Sequence, residues 1–159
     1  MSSEQNIRVD VDLMRRGDLA EVLDIERESF QTPWTEGMFV DELRTKHAQT
    51  LVARVVIDGR SRVGGYIIFW MVADEAHLHN LAVRKEFRRQ GLARSLMGLM
   101  KDIAQQMGIV KMTLEVRETN SQAIALYRKC GFVVKGRRPN YYTDTREAAL
   151  IMWADERQD

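Results

Sequence analysis

The sequence predicts an α/β protein of the α+β kind, with a mixed, mostly antiparallel central sheet of about seven strands flanked by about four helices. Three observations predict it. Two β-branched apolar runs, Thr50 to Ile57 and Val63 to Val72, lie either side of Asp58-Gly59. That dipeptide tolerates positive φ at both positions, as a tight hairpin turn requires. A long stretch carries Ala93, Leu96, Met97, Met100, Ala104 and Met107 at helical spacing and stops at Gly108, a glycine suited to a helix end. After it Val110, Met112, Leu114 and Val116 alternate as a strand. Antiparallel strands therefore come first and a β-α-β-α-β unit comes late.

Each remaining element has its own signal. Ile7, Val9, Val11 and Leu13 alternate with polar residues, the pattern of a half-buried strand. Gly17 ends it. Asp18 with Glu21 three positions on reads as a capping box, starting a helix with Leu19, Val22, Leu23 and Phe30 on its apolar face. Thr35 is placed to cap a second short helix carrying Met38, Phe39 and Leu43,. A strand from Ala76 to Val83 follows Asp74-Glu75. Late in the chain, Asn120 to Cys130 reads as a short helix closed by Gly131, and Phe132–Val134 and Ala148–Trp153 supply two strands around a Tyr-rich loop. The two prolines, Pro33 and Pro139, fall in loops or strand edges, where the missing N–H is tolerated.

At 159 residues the chain suits one domain, 1–159 with its core over 7–153, a size able to bury a stable core. The formal net charge of +1 lacks the basic field of a nucleic-acid binder,. With no platform of stacking aromatics, an RNA-binding reading of the local basic loop is disfavoured. Cys130 is alone, so no internal disulfide forms, which suits a reducing compartment,. Met1 to Asp10 has no apolar signal core, and no stretch reaches the length of a membrane span,. The expectation is a cytoplasmic protein, monomer or weak dimer, with no membrane and no direct nucleic-acid partner. Met1 to Gln5 and Glu156 to Asp159 are expected to fray.

The segment Leu81-Ala82-Val83-Arg84-Lys85-Glu86-Phe87-Arg88-Arg89-Gln90-Gly91-Leu92-Ala93-Arg94 runs from an apolar strand through a basic loop into the long helix. The first turn of a helix has N–H groups without internal partners, and the helix dipole makes that end positive. Gly91 and Ala93 let a diphosphate approach the backbone, and Arg88 and Arg89 add mobile positive charge. By spacing it is neither a Walker loop nor a dinucleotide fingerprint. A solvated basic loop before a surface helix fits the residues alone equally well.

Arg88-x-x-Gly91-x-Ala93 resembles the acetyl-CoA motif of the GCN5-related N-acetyltransferases, with the preceding Asn80-Leu81-Ala82-Val83 matching its strand. A second segment, Glu115-Val116-Arg117 followed by Asn120-x-x-Ala123-x-x-Leu126-Tyr127-x-x-x-Gly131-Phe132, is similar to the later motif of that superfamily. The match narrows to the ribosomal-protein alanine N-acetyltransferase subgroup and spans about residues 7 to 153 of the chain. It implies acetyl-CoA as co-substrate. Leu81 to Val83 and Arg88 to Arg94 would hold its pantetheine and pyrophosphate, a backbone N–H near Val83 would polarise the thioester carbonyl, and Asn120 would bind the pantetheine chain. It also implies Glu115 as general base and Tyr127 as general acid. From the residues alone, Tyr127 fits a core tyrosine with a satisfied hydroxyl better than a catalytic one, and Glu115 fits an exposed carboxylate beside Arg117.

Pro33 and Trp34, with Tyr141 and Tyr142, match segments that flank the peptide slot in related enzymes. Pro33-Trp34 equally fits a hydrophobic staple, and Tyr141-Tyr142 an edge-strand pair. Arg88 stands where Gln is common, Ala93 where Gly is common, and Pro139 interrupts the run before the tyrosines. The resemblance implies a protein N-terminus as acceptor, the alanine of small-subunit ribosomal protein 18. The alternatives are a broader N-terminal, lysine or small-amine acetyltransferase, or an acetyl-CoA-binding module without turnover. At pH 7.4 about a quarter of an α-amine is neutral, against about 0.1% of a lysine, so one carboxylate suffices for an N-terminal acceptor. No metal is expected: His77 and His79 share a strand face, but only three His exist and no Cys set completes a site,. Cys130, at a helix end, reads as structural.

Overall fold

The computed structural model describes residues 6–156. In chain order the elements are β1 (Ile7–Leu13), α1 (Leu19–Ser29), α2 (Glu36–Arg44), β2 (Ala48–Ile57), β3 (Arg60–Val72), β4 (Glu75–Val83), α3 (Leu92–Gln106), β5 (Lys111–Arg117), α4 (Ser121–Lys129), β6 (Val133–Arg138) and β7 (Ala149–Asp155). Short 3-10 turns precede α1 and α3. Among the described residues four helices accompany one mixed sheet of seven strands, ordered β1-β2-β3-β4-β5-β7-β6. The predicted fold class is the observed one. Asp58 and Gly59 both take positive φ in the β2–β3 turn, at 50° and 82°, as their chemistry requires.

The chain forms two compact units. One runs to Ile68 and includes Asn80–Leu96; the other comprises Phe69–His79 with Met97 onward. In the first, the apolar stripe of α1 (Leu19, Val22, Leu23, Ile25) packs with Phe39 of α2 and with Val52, Val63, Tyr66 and Ile68 of the strands. The rings of Trp34, Phe39 and Tyr66 follow one another at 5.2 and 5.8 Å between centroids. Close approach explains the paired glycines of β3. A Cβ on Gly65 would lie 2.9 Å from the carbonyl oxygen of Ala82, and one on Gly64 would lie 2.5 Å from Val55. In the second unit β5 pairs antiparallel with β7, and β7 with β6. Met112, Leu114, Val116, Ile124, Phe132 and Met152 are buried there. The parallel pairing of β4 with β5 sets Glu75, Ala76 and His77 against Lys111, Met112 and Thr113.

Several local expectations are corrected. Asp18 does not cap α1: its carboxylate accepts from both Arg54 nitrogens at 2.6 and 3.0 Å and from the Arg15 N–H. Glu21 accepts from the Val63 N–H instead of closing a box. A buried carboxylate is better satisfied by a guanidinium than by one amide, so the ion pair displaces the cap. The alternation of β1 is real, but its apolar face is the exposed one. β6 reaches Arg138, four residues beyond the expected end, because pairing with β7 carries it there. Glu156 is held, with its N–H on the Val110 carbonyl and its carboxylate 3.0 Å from Lys101; the other residues expected to fray lie outside the described ones. The Thr35 cap (to the Met38 N–H, 3.3 Å), the Asn120 cap (to the Ala123 N–H, 3.2 Å) and the positive φ of Gly108 and Gly131 are as expected. Among the described residues no helix is long and apolar enough to cross a membrane.

Candidate active site

The basic loop of the first unit has a built geometry. Phe87 and Leu92 are buried, packed where a Gly64 side chain would be, which fixes both ends of the loop against β3. Arg89 and Gly91 take positive φ, 63° and 81°, and swing the chain into α3. The Gly91 carbonyl accepts the first helical bond, from the Ser95 N–H at 3.0 Å. Leu92, Ala93 and Arg94 therefore form the first turn, whose N–H groups have no intrahelical acceptor. Gln90 and Gly91 are exposed, as are Arg89 and Arg94. Open N–H groups beside two exposed guanidiniums at a helix start fit an anionic group such as a pyrophosphate.

Arg88 departs from the expected mobile charge. Its Nε donates to the Val83 carbonyl at 2.9 Å and its Nη2 to Ser29 Oγ at 3.0 Å. It ties the end of β4 to α1, so its guanidinium is a brace. Arg84 is likewise engaged, by the Val63 carbonyl and by Glu21. Of the loop's arginines, Arg89 and Arg94 therefore supply the unengaged positive charge, beside the exposed Lys85. Leu81, Ala82 and Val83 form the braced strand end, with Ala82 and Val83 buried.

Trp34 packs on Phe39, one residue before and four after the Thr35 cap, which is a hydrophobic staple. Its N–H donates to Glu26 Oε1 at 3.0 Å. Glu26 is buried at 1% exposure, and its other oxygen accepts from the Asn80 amide at 2.9 Å and from the Tyr66 hydroxyl. This triad fixes the Pro33-Trp34 turn. The sequence hid it: its members are 40 and 54 positions from Glu26.

In the second unit Glu115 lies on β5, two residues beyond Thr113, the parallel partner of His77. Residues diagonal across paired strands are within reach of long side chains. Glu115 Oε2 lies 2.5 Å from His77 Nε2, and the Glu115 side chain is only 18% exposed. The hydrogen bond from His77 holds the Glu115 carboxyl below the usual carboxylate range, against the opposing pull of burial, with the charge on Arg138 assisting,. With Glu115 ionised, His77 Nε2 carries the hydrogen and donates, leaving Oε1 as the other acceptor. Burial pushes His79 down to about 4. It is therefore neutral, stacked on Trp70 at 4.7 Å, with His77 edge-on to its ring. The solvated Glu115–Arg117 pair is not present: Arg117 holds Asp144 at 2.7 and 3.0 Å and lies over the Tyr142 ring at 4.0 Å.

Tyr127 lies on α4, half-buried against Phe132, with 6.1 Å between ring centroids. Burial pushes its phenol well above the ordinary tyrosine range, so it keeps its proton at neutral pH. Its hydroxyl makes no hydrogen bond among the described residues, unlike a core tyrosine chosen for its polar tip. Tyr141 and Tyr142 are in a loop, not an edge-strand pair. Both donate N–H to the Glu147 carbonyl at 3.1 Å, and their rings meet edge to face at 5.0 Å. Burial pushes Tyr142 up to about 12 although Arg117 opposes it. The Arg117–Asp144 and Thr119–Glu147 contacts pin this loop. His77 is what the sequence reading missed as a site residue. Its alternation with His79 was visible, but the β4–β5 pairing that delivers it to Glu115 was not.

Comparison with known proteins adds to this geometry. The family described as "Acetyltransferase (GNAT) family" matches residues 19–132. The Escherichia coli K12 protein named [ribosomal protein bS18]-alanine N-acetyltransferase is 35% identical over 137 residues, 85% of this chain and 89% of its own. A Bacillus subtilis relative, 38% identical over 141 residues (88% of this chain, 91% of its own), bears that name as a provisional assignment. The crystal structure of the Escherichia coli ribosomal-protein-S18-alanine N-acetyltransferase superposes with a TM-score of 0.81 at 32% identity, covering 94% of both chains.

Proposed function

Since the chain belongs to the acetyltransferase (GNAT) family, we propose that this N-acetyltransferase moves the acetyl group of acetyl-CoA to the α-amine of an N-terminal alanine, that of ribosomal protein bS18. The acceptor rests on the names of relatives that match over most of their length. The observation that carries the chemistry is geometric: in the second unit Glu115 is held by His77 through Oε2, which leaves Oε1 open as a proton acceptor, and the same unit carries Tyr127 with its hydroxyl unengaged among the described residues.

The steps balance without a metal. The neutral amine attacks the thioester carbonyl carbon, forming the C–N bond and an oxyanion. Glu115 Oε1 takes the proton that the nitrogen sheds. As the C–S bond breaks, Tyr127 gives its proton to the departing thiolate. The first turn of α3, with Arg89 and Arg94, takes the pyrophosphate. The strand end Leu81–Val83 takes the pantetheine, with a backbone N–H near Val83 polarising the carbonyl, and Asn120 binds the pantetheine chain. Pro33, Trp34, Tyr141 and Tyr142 bind the acceptor peptide. The whole chain acts as one acetyltransferase domain. Incubation with acetyl-CoA and bS18 should add one acetyl group at the N-terminal alanine, read by peptide mass; an unmodified N-terminus would refute the acceptor.

His77 is a positioning residue in this scheme, and its effect is on pH. In His77→Ala the bond that lowers the Glu115 pKa is gone and burial, which raises it, prevails. The base is active only when ionised, so activity is then lost at higher pH on the acid side. For the wild type, log(kcat/KM) should fall with slope one below about pH 7.7, from the acceptor amine alone. For His77→Ala the further fall that comes as Glu115 titrates should begin at higher pH than in the wild type. An unchanged profile would remove His77 from the mechanism.

A further inference from the structure

β1 is the end strand of the sheet, and it pairs with β2 in the register Ile7↔Ile57 to Leu13↔Leu51. The Asp58 N–H donates to the Asn6 carbonyl and the Met14 N–H to the Thr50 carbonyl. In an antiparallel ladder hydrogen-bonded pairs alternate with non-bonded ones. The even residues of β1 therefore bond β2, and Ile7, Val9, Val11 and Leu13 turn their N–H and C=O groups outward. The Leu13 N–H is already taken by Asp12 Oδ1 at 2.8 Å, so among the described residues the open edge is Ile7, Val9 and Val11. The same residues expose their apolar side chains: Ile7 56%, Val9 49%, Val11 48%, with Leu13 at 60%. An end strand with open backbone and an apolar stripe is a template for another strand.

The charges on the opposite face of β1 say which strand. Arg8 and Asp10 are exposed enough to meet a partner and bond each other, at 3.0 Å to both carboxylate oxygens. Two copies of β1 related by a twofold axis can meet antiparallel in few registers. An axis at Arg8 sets two arginines face to face. One at Asp10 sets two aspartates face to face, and one at Val11 sets Asp10 against Asp12. An axis at Val9 sets Arg8 of each copy against Asp10 of the other, Val9 against Val9, and Ile7 against Val11. That register uses the open backbone positions and no others, forms about six main-chain hydrogen bonds, two per facing pair, and merges two apolar stripes on one face. Opposite charges directly across a ladder are stabilising and like charges are not.

We propose that β1 is a homodimerisation edge, joining two copies of this chain antiparallel about Val9, with reciprocal Arg8–Asp10 pairs selecting the register. One strand per copy buries little area, so the dimer belongs to the weak, reversible class. The test is sedimentation equilibrium of the full chain over a concentration series. The wild type should rise from 18.4 kDa towards twice that mass, less steeply at high salt because the charge pairs are screened. Val9→Pro removes an outward N–H and no bond to β2, so it should stay monomeric while folded. Arg8→Asp should also stay monomeric, since it faces aspartate with aspartate, and the exchange Arg8→Asp with Asp10→Arg should restore the dimer. A mass fixed at 18.4 kDa in the wild type, a dimer indifferent to Val9→Pro, or an exchange that fails to rescue would each overturn the proposal.

Discussion

Glu115→Gln is expected to lower kcat/KM for a free-alanine peptide by about 10²- to 10⁴-fold, the range of a lost general base. The amide is close in shape to the carboxylate. Its oxygen still accepts from His77 Nε2, now 2.5 Å from the carboxylate, so the second unit keeps its packing. What the amide cannot do is take a proton. The pyrophosphate loop belongs to different residues, so acetyl-CoA affinity measured by calorimetry should stay within about twofold, a shift of roughly 0.4 kcal/mol at most. Loss of binding together with loss of turnover would instead mean that Glu115 has a structural role. Unchanged turnover would remove it as the base.

Tyr127→Phe is expected to slow turnover by about 10- to 100-fold, at the low end for a general acid. A thiol of ordinary pKa near 8.5 leaves as a fairly stable anion at neutral pH, so the proton Tyr127 supplies is helpful rather than obligatory. The ring keeps its packing on Phe132, and with no hydrogen bond from the hydroxyl to lose the variant should melt close to the wild type. The pH profile gives the second reading. Burial raises the phenol's pKa, so its proton is present at all pH below that raised value and is lost only above it. Wild-type kcat should therefore stay level from about pH 8.5 to pH 10, where an ordinary tyrosine would begin to ionise. A decline across that interval would contradict the assignment.

Element types were legible because their signals are local. The Asp58-Gly59 turn, the Thr35 and Asn120 caps, and the stops at Gly108 and Gly131 depend on side chains within a few residues of the backbone they shape. What the pattern could not give is where distant charges go. Asp18 looked like a cap because Glu21 stood three residues on, yet Arg54, 36 positions away, takes its carboxylate. Arg88 looked like a free cation because arginines in loops usually are, yet the Val83 carbonyl and Ser29 hold it. β1 alternated as a half-buried strand should, but alternation does not say which face is covered, and in an end strand the apolar face lies open. Residue identities at the candidate site came from motif resemblance. Their surroundings, His77 beside Glu115 and the packing of Tyr127 against Phe132, came from the fold.

The most direct test of the central claim is release of free CoA from acetyl-CoA with two peptides. One begins with an unblocked alanine followed by the bS18 sequence; the other is blocked at its N-terminus and carries an internal lysine. Glu115 alone serves as base, and an α-amine supplies about 200-fold more neutral nucleophile than a lysine at pH 7.4. CoA should therefore be released with the alanine peptide and not with the lysine peptide. Release with the lysine peptide alone, or with neither while acetyl-CoA still binds, would contradict the account.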